Sequence, residues 1–440
     1  MLSLRAAATV RLACQGLGGG RQDFRVSDDY RRHLELGLSP GRGVTNVDFR
    51  FGPEDEAFRR ELRCWLQENV PPDWEGVFLE EDEEAWKVGR AFIRKLAAKG
   101  WIAPAWPREY GGMEASPAMQ LVYNEEMGYH RAPIGSIVQA VGYIGPAILF
   151  FGTEEQKKQH LPPISAGEIV WCQGFSEPEA GSDLASLSTR AVRDGDDYVI
   201  NGSKIWTSNA HRSDWCIILA RTDPAARKHK GISFFLVDMK EPGITVQPII
   251  NMANVHSFNQ VFFEDVRVPS SALLGQENEG WYIAAMTLDL ERSSLVAAAV
   301  SMAKRNLDEL VRYCKETKVE GRSLLDNPLI RHKLAEMAIE VEVGKYLVYR
   351  VVSSQARQEP GSIEAAVCKL YNTEMDVRVT NTGIQILGLY GQLQRDSKWA
   401  RLMGRFNKSY LYAIAMLVGG GASEIQRNII AMRGLGLPRG

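Results

Sequence analysis

The sequence predicts an α+β multidomain protein in which a compact antiparallel β barrel or sandwich stands between two helical units. Three changes of pattern carry this expectation. Apolar residues recur at helical spacing from Phe51 to about Ile164, the period becomes strand-like from Val170, and long amphipathic helices return after Gly275. With 440 residues and 45% hydrophobic content, the chain can bury a large core and divide into two or three units.

Residues 1–47 read as an N-terminal extension, either targeting or disordered sequence. The first 22 residues carry Arg5, Arg11 and Arg21 and no acid, and Gly16, Gly18, Gly19 and Gly20 interrupt any continuous helix. This is the make-up of a mitochondrial transit peptide and equally of an extended bacterial N-terminus, so the expected compartment is the cytoplasm, with the mitochondrial matrix as the alternative. Residues 48–166 form the helical domain. Within it Phe58, Leu62, Trp65 and Leu66 share one helix face, and Trp106-Pro107-Arg108-Glu109-Tyr110-Gly111-Gly112 is turn chemistry, with Pro setting one φ and the Gly pair freeing the later ones.

Residues 167–275 form the β domain, with turn signals at Asp194-Gly195 and Asn201-Gly202. The second separates Tyr198-Val199-Ile200 from Lys204-Ile205-Trp206 and predicts a tight hairpin. Strands continue over Cys216–Ala220, Ile232–Val237 and Val261–Val268. Residues 276–440 form a helical bundle: Asn327 precedes Pro328 at a first helical position, Ile330, Leu334, Met337 and Val341 follow at helical spacing, and Glu359-Pro360-Gly361-Ser362 breaks that helix, with Ser362 placed to cap the next.

Several partner classes are set aside by composition. A net charge of −2 provides no broad electrostatic attraction to nucleic acid or an anionic membrane. The apolar run Leu411–Val418 is far shorter than the roughly 20 residues that span a bilayer. Cys14, Cys64, Cys172, Cys216, Cys314 and Cys368 show no CxxC and no metal-ligand spacing, which points to separate reduced thiols and no metal. No glycine cluster follows a strand and opens a helix, and no GxxxxGK[ST] occurs, so a Rossmann or P-loop nucleotide site is not expected.

The chain's most informative stretch is Gly174-Phe175-Ser176-Glu177-Pro178-Glu179-Ala180-Gly181-Ser182-Asp183. Read alone, it is either an ordinary turn or a loop whose Gly181-Ser182 backbone approaches a phosphate or flat heterocycle. It resembles the flavin-binding signature of the acyl-CoA dehydrogenases, G-x-[ST]-E-x-x-x-G-[ST]-D, and Pro107–Gly112 resembles that family's Pro-x-x-Tyr-Gly-Gly turn. Over roughly residues 48 to 435 the resemblance implies a helical domain, a central antiparallel β-barrel and a C-terminal four-helix bundle. It further implies FAD held between barrel and bundle without a Rossmann fold. Phe175 and Ser176 then correspond to positions at the flavin ring, and Gly181 and Ser182 to positions near the pyrophosphate. Trp206, which would otherwise read as core, corresponds to the indole stacked near the flavin, and Ser208 to the hydroxyl near its N5. In the same way Ser182 and Arg292 correspond to positions that contact the acyl-CoA.

The family places its catalytic base at either of two sites. One is the Glu of a C-terminal Tyr-Glu-Gly-Thr, whose counterpart is Gly420 in Gly419-Gly420-Gly421-Ala422, where no base exists. The other is the Glu of an Asp-Leu-Glu-Arg helix, present here as Asp289-Leu290-Glu291-Arg292. Glu291 has Thr287, Leu288, Ser294 and Leu295 as helical neighbours, a mostly uncharged face that would make a buried carboxylate more basic; the plainer alternative is a solvated Glu beside Arg292. Glu424 corresponds to a residue that follows the glycine loop and is not the base. Gln385 and Gly388 resemble a Q-x-x-G-G-x-G turn that approaches a neighbouring subunit's FAD, with Leu389 in place of the second Gly. The family's Arg-x-x-Phe-Gly is Thr317-Lys318-Val319-Glu320-Gly321, and Ala422 replaces a Thr; such losses accompany branches that assemble as heteromers.

The implied activity is FAD-dependent α,β-dehydrogenation of an acyl-CoA to the 2-enoyl-CoA, with an electron-transferring flavoprotein as acceptor and a homo- or hetero-oligomer, dimer or tetramer, as the assembly. The alternatives are an FAD-deficient partner subunit of a heteromeric enzyme and a flavin oxidase on the same fold.

Overall fold

The computed structural model describes residues 50–72, 74, 83–357 and 362–438. Helices occupy both ends of this range and strands its middle. The first helical unit comprises α1 (Pro53–Asn69), α2 (Glu83–Ala98), α3 (Pro117–Tyr129), α4 (Gly135–Gln139), a π-helical turn (Ala140–Ile144), α5 (Gly145–Phe151) and α6 (Glu154–Ser165). α1 begins with Pro53 at its first turn and buries Phe58, Leu62 and Leu66, with Trp65 packed beside them. At the Trp106–Gly112 turn, Gly111 adopts a left-handed φ of 80°, and a Cβ on Gly112 would lie 2.0 Å from the Trp106 carbonyl oxygen. Both glycines are therefore demanded by geometry.

The strands are β1 (Trp171–Gly174), β2 (Arg190–Asp194), β3 (Asp197–Lys204), β4 (Trp215–Arg221), β5 (Ile232–Asp238), β6 (Ile244–Ile249), β7 (Phe258–Pro269) and β8 (Leu273–Leu274). Their order is β6-β7-β3-β2-β4-β5-β8, with β1 added against β4. Pairing is antiparallel except between β1 and β4 and at a single β2–β4 contact, Arg190 beside Arg221. β4 and β5 are apolar almost throughout because both of their faces are covered. Ile217, Leu219, Phe234 and Leu236 pack on the helical unit, while Cys216, Ile218, Ala220, Phe235 and Val237 fill the interior of the β domain.

One turn expectation is corrected. Asp194-Gly195 does join β2 to β3, but Asn201-Gly202 is no hairpin: β3 runs straight through it, with a register shift between Ile200 and Gly202 against β7. Thr189 explains the glycine, since a Cβ at Gly202 would come within 2.4 Å of its Oγ1. Asn201 explains itself by bonding Asp265, whose backbone N–H donates to Asn201 Oδ1 at 3.0 Å. The pair marks a β-bulge where two backbones approach closely.

The C-terminal unit packs α7 (Gly280–Glu316), α8 (Pro328–Ala356), α9 (Ser362–Leu387) and α10 (Arg405–Met416) around one core, followed by α11 (Ser423–Ile429). Asn327 caps α8, its Oδ1 accepting from Leu329 N at 2.9 Å, with Pro328 at the first position. Thr317–Gly321 enters a small hairpin between β9 (Lys318–Val319) and β10 (Arg322–Ser323). α7 spans both cores. Ile283, Ala284 and Met286 belong to the first and Val296 to Cys314 to the second, so Glu291 falls where the helix changes neighbours. Residues 1–47 and the break at Glu359–Gly361 lie outside the described residues. Among the described residues, five cysteines are free, no cluster suited to a metal occurs, and no helix is long and apolar enough to cross a membrane.

Candidate active site

The loop after β1 is built around a buried ion pair. Glu177 turns back on itself through mutual backbone bonds with Ala180, each 3.0 Å, and its carboxylate accepts from Ser188 N at 2.6 Å, Ser188 Oγ at 2.8 Å and Thr189 N at 2.9 Å. Lys204 Nζ, fully buried at the end of β3, completes the set at 2.7 Å and also reaches the Phe175 carbonyl at 3.3 Å. Burial alone would raise the Glu177 pKa, but the Lys204 charge and these donors outweigh it and hold the group at about 2. With every acceptor lone pair engaged, the acid of the signature is a staple for the loop. This role was not read from sequence, where nothing marks Lys204 as its partner.

The staple leaves the neighbouring groups facing outward. Phe175 buries its ring edge-on against Phe234 at 5.8 Å, so only its backbone faces the loop surface. Ser176 is half-buried, and its carbonyl accepts from Ile205 N at 2.8 Å, tying the loop to the segment that carries Trp206. Gly181 and Ser182 are exposed. Gly181 has no left-handed φ, and a Cβ there would meet nothing of the chain within 4 Å. The chain itself thus makes no demand for glycine at that point.

Trp206 has a left-handed φ of 60° and is 57% exposed. It is held from below. Asn259, fully buried on β7, donates from Nδ2 to the Thr207 carbonyl at 2.9 Å, and its own carbonyl accepts from Thr207 N at 3.0 Å. His256 Nε2 lies 2.8 Å from Asn259 Oδ1 and fixes that amide's orientation, while the His256 and His211 rings stack at 3.9 Å. Burial, then the neighbouring His256, depress His211 to about 4, so the His211 ring is neutral near pH 7. The exposed indole, the half-buried hydroxyls of Ser176 and Ser208 and the open Gly181-Ser182 backbone are a donor set that fits a flat, hydrogen-bonding ring carrying a phosphate.

Across from this loop, α7 presents Glu291 to the glycine run 419–421. A Cβ on Gly420 would stand 3.9 Å from Glu291 Oε1. Gly420 and Gly421 have left-handed φ of 65° and 94°, a path that larger residues rarely follow. Lys369 on α9, 4% exposed, secures this run by donating to Met416 O at 3.0 Å and Gly421 O at 2.8 Å. Gln426 adds a bond to Gly421 O at 3.1 Å. Tyr143, on the π-helical turn, completes the surroundings: burial and then the negative charge of Glu291 push its phenol well above the usual range. Lys369 and Tyr143 were not singled out from sequence, because a lone Lys or Tyr on an apolar helix carries no signal of its own.

The remaining sequence candidates fall elsewhere. Gln385 ends α9 and accepts from Lys333 Nζ, and Gly388, at a φ of 61°, opens a short turn that packs mainly on α9. Within one protomer these two therefore belong to the end of the bundle. Glu424 begins α11, where its charge suits the helix N-terminus. Arg292 follows Glu291 on α7, and its side chain lies outside the described residues.

Comparisons with known proteins cover most of the described range. Models of the N-terminal, middle and C-terminal domains of acyl-CoA dehydrogenases match residues 52–168, 172–266 and 278–435. The chain is 36% identical over 393 residues to acyl-CoA dehydrogenase IpdE1 of Mycobacterium tuberculosis, covering 87% of this chain and 98% of that protein. It is similar in structure to the ChsE4-ChsE5 complex of Mycobacterium tuberculosis, with a TM-score of 0.80, 35% identity and coverage of 89% and 100% of the two chains. A second solved structure, the Tcur3481-Tcur3483 steroid ACAD, matches with a TM-score of 0.80, 33% identity and coverage of 89% and 100%.

Proposed function

The chain belongs to the acyl-CoA dehydrogenase family, and we propose that it desaturates an acyl-CoA thioester to its 2-enoyl form with Glu291 as the base. It is an FAD-dependent oxidoreductase of that family. FAD, when bound, supplies the acceptor for the hydride that leaves the β carbon. The residues of the chain do the rest: Glu291 takes the α proton onto its carboxylate, and Lys369 and Gln426 hold the facing glycine run in place. The loop stapled by Glu177 and Lys204, with Trp206, Ser176, Ser208, Gly181 and Ser182, would hold the cofactor.

One observation supports the base assignment above others. Gly420 and Glu291, the counterparts of the family's two alternative base positions, address the same point at 3.9 Å, and only Glu291 has a carboxylate. The absent side chain at Gly420, flanked by Gly419 and Gly421, leaves room beside the base that suits a branched or bulky acyl chain. Similarity to an assembly described as a steroid ACAD supports the same reading.

We also propose that the chain works as a dimer or dimer of dimers and passes electrons to an electron-transferring flavoprotein. Ile339, Val343 and Tyr346 form an exposed apolar stripe on α8, and Leu389, 81% exposed, stands beside Gly388. Such surface is costly to leave in water. Light scattering on the chain expressed alone, with flavin absorbance read in the same run, tests both points. The expected result is a dimeric or tetrameric mass carrying FAD. An FAD-free chain that takes up flavin only with a second, related chain would instead make it one half of a heteromeric enzyme, as the paired names of the two similar assemblies suggest.

A further inference from the structure

The helical segment from Gly135 to Ile144 buries Ile137, Ala140 and Ile144 in the first core, yet it carries a polar stripe at Ser136, Gln139 and Tyr143, spaced three and four residues apart. The stripe faces β1. Tyr143, 1% exposed, donates from its hydroxyl to Gln173 Oε1 at 3.4 Å and accepts from the Gln139 amide. This relay ends in unmatched groups: Gln139 Oε1 at one end, Gln173 Nε2 at the other, and Ser136 Oγ on the same stripe are all buried without a hydrogen-bond partner. Buried polar groups are nearly always matched, and three unmatched on this stripe and the strand it packs against suit a polar ligand. The place is telling, since the π-helical turn packs on α7, which bears Glu291, and on β1, which leads into the signature loop. π-Helical turns are themselves enriched at functional sites.

We infer that Ser136, Gln139, Tyr143 and Gln173 form a polar wall of the acyl site that takes a chain bearing an uncharged oxygen, a hydroxyl or keto group. The inference rests on the acyl-CoA reading above. The wall offers an acceptor at Gln139 and a donor at Gln173, which a hydroxyl matches at once and a keto oxygen matches in part. All four groups are uncharged and Glu291 is an acid, so a second carboxylate on the chain would be repelled rather than bound. A plain alkyl chain would leave the wall unmatched.

The test uses the FAD-loaded enzyme with octanoyl-CoA and its isomers hydroxylated at each carbon from C4 to C8. At least one isomer should exceed octanoyl-CoA in kcat/KM by about ten-fold or more, and Gln139→Met should erase that ratio. A preference for octanoyl-CoA over every isomer, or a ratio unchanged in Gln139→Met, would overturn the polar wall and leave the dehydrogenase reading standing. Flavin reduced by none of these thioesters would remove the dehydrogenase reading, and this inference with it.

Discussion

Glu291→Gln should keep its fold and its FAD but lose flavin bleaching by an acyl-CoA substrate. Gln matches Glu in size and remains polar, so the junction between the two cores at α7 keeps its packing while the proton acceptor disappears. General-base catalysis contributes about 10²- to 10⁴-fold, and the loss should fall on kcat and kcat/KM together in the reductive half-reaction. Glu424→Gln is the control. It sits at the start of α11, where loss of its charge costs at most about 1 kcal/mol of stability, and it should retain most activity. Rapid-mixing absorbance of both variants decides the matter: a Glu291 variant that bleaches at the wild-type rate beside a dead Glu424 variant would move the chemistry to the 419–424 loop.

The second large effect is expected at the staple. Lys204→Met removes a buried cation and leaves the Glu177 carboxylate, 4% exposed, without its charge partner. Breaking such a pair costs about 3–5 kcal/mol, and the loop bearing Ser176, Gly181 and Ser182 loses its anchor, so denaturant midpoint and FAD retention should fall together. The double change Lys204→Met with Glu177→Leu removes both charges and should recover part of the stability, though not the donors' register at Ser188 and Thr189. The pH dependence has a defined sign. Glu177 is held at about 2 in the fold against an ordinary 4.5, so its contribution is full above pH 4.5 and is lost as pH falls through 2. Lys204→Met should flatten that limb of the stability profile, and an unchanged acid limb would contradict the staple.

Much of this was legible in the chain. Period alone separates the three units, because β4 and β5 are covered on both faces and helices α1 and α8 on one. The Asn327-Pro328 start of α8 follows from its chemistry. Asn201-Gly202 misleads because the dipeptide serves equally well at a bulge, and only the Thr189 backbone, supplied by a different part of the sheet, decides between the two. Glu291 can be found from the Asp-Leu-Glu-Arg motif, whereas its approach to Gly420 depends on how α7 meets the bundle's last loop. Lys369, Asn259 and the Tyr143 relay stay hidden for a shared reason: each is a polar residue in an apolar run, and its meaning comes wholly from partners distant in sequence.

The proposed activity depends most on this chain carrying both the flavin and the base. Anaerobic titration of the FAD-loaded chain with an acyl-CoA, monitored by flavin absorbance and by mass of the thioester, tests that directly. Wild type should show stepwise bleaching with matching formation of a thioester two hydrogens lighter, and Glu291→Gln should show neither. Bleaching and enoyl product that persist in the Glu291→Gln enzyme, or a wild-type flavin that no acyl-CoA reduces, would contradict it.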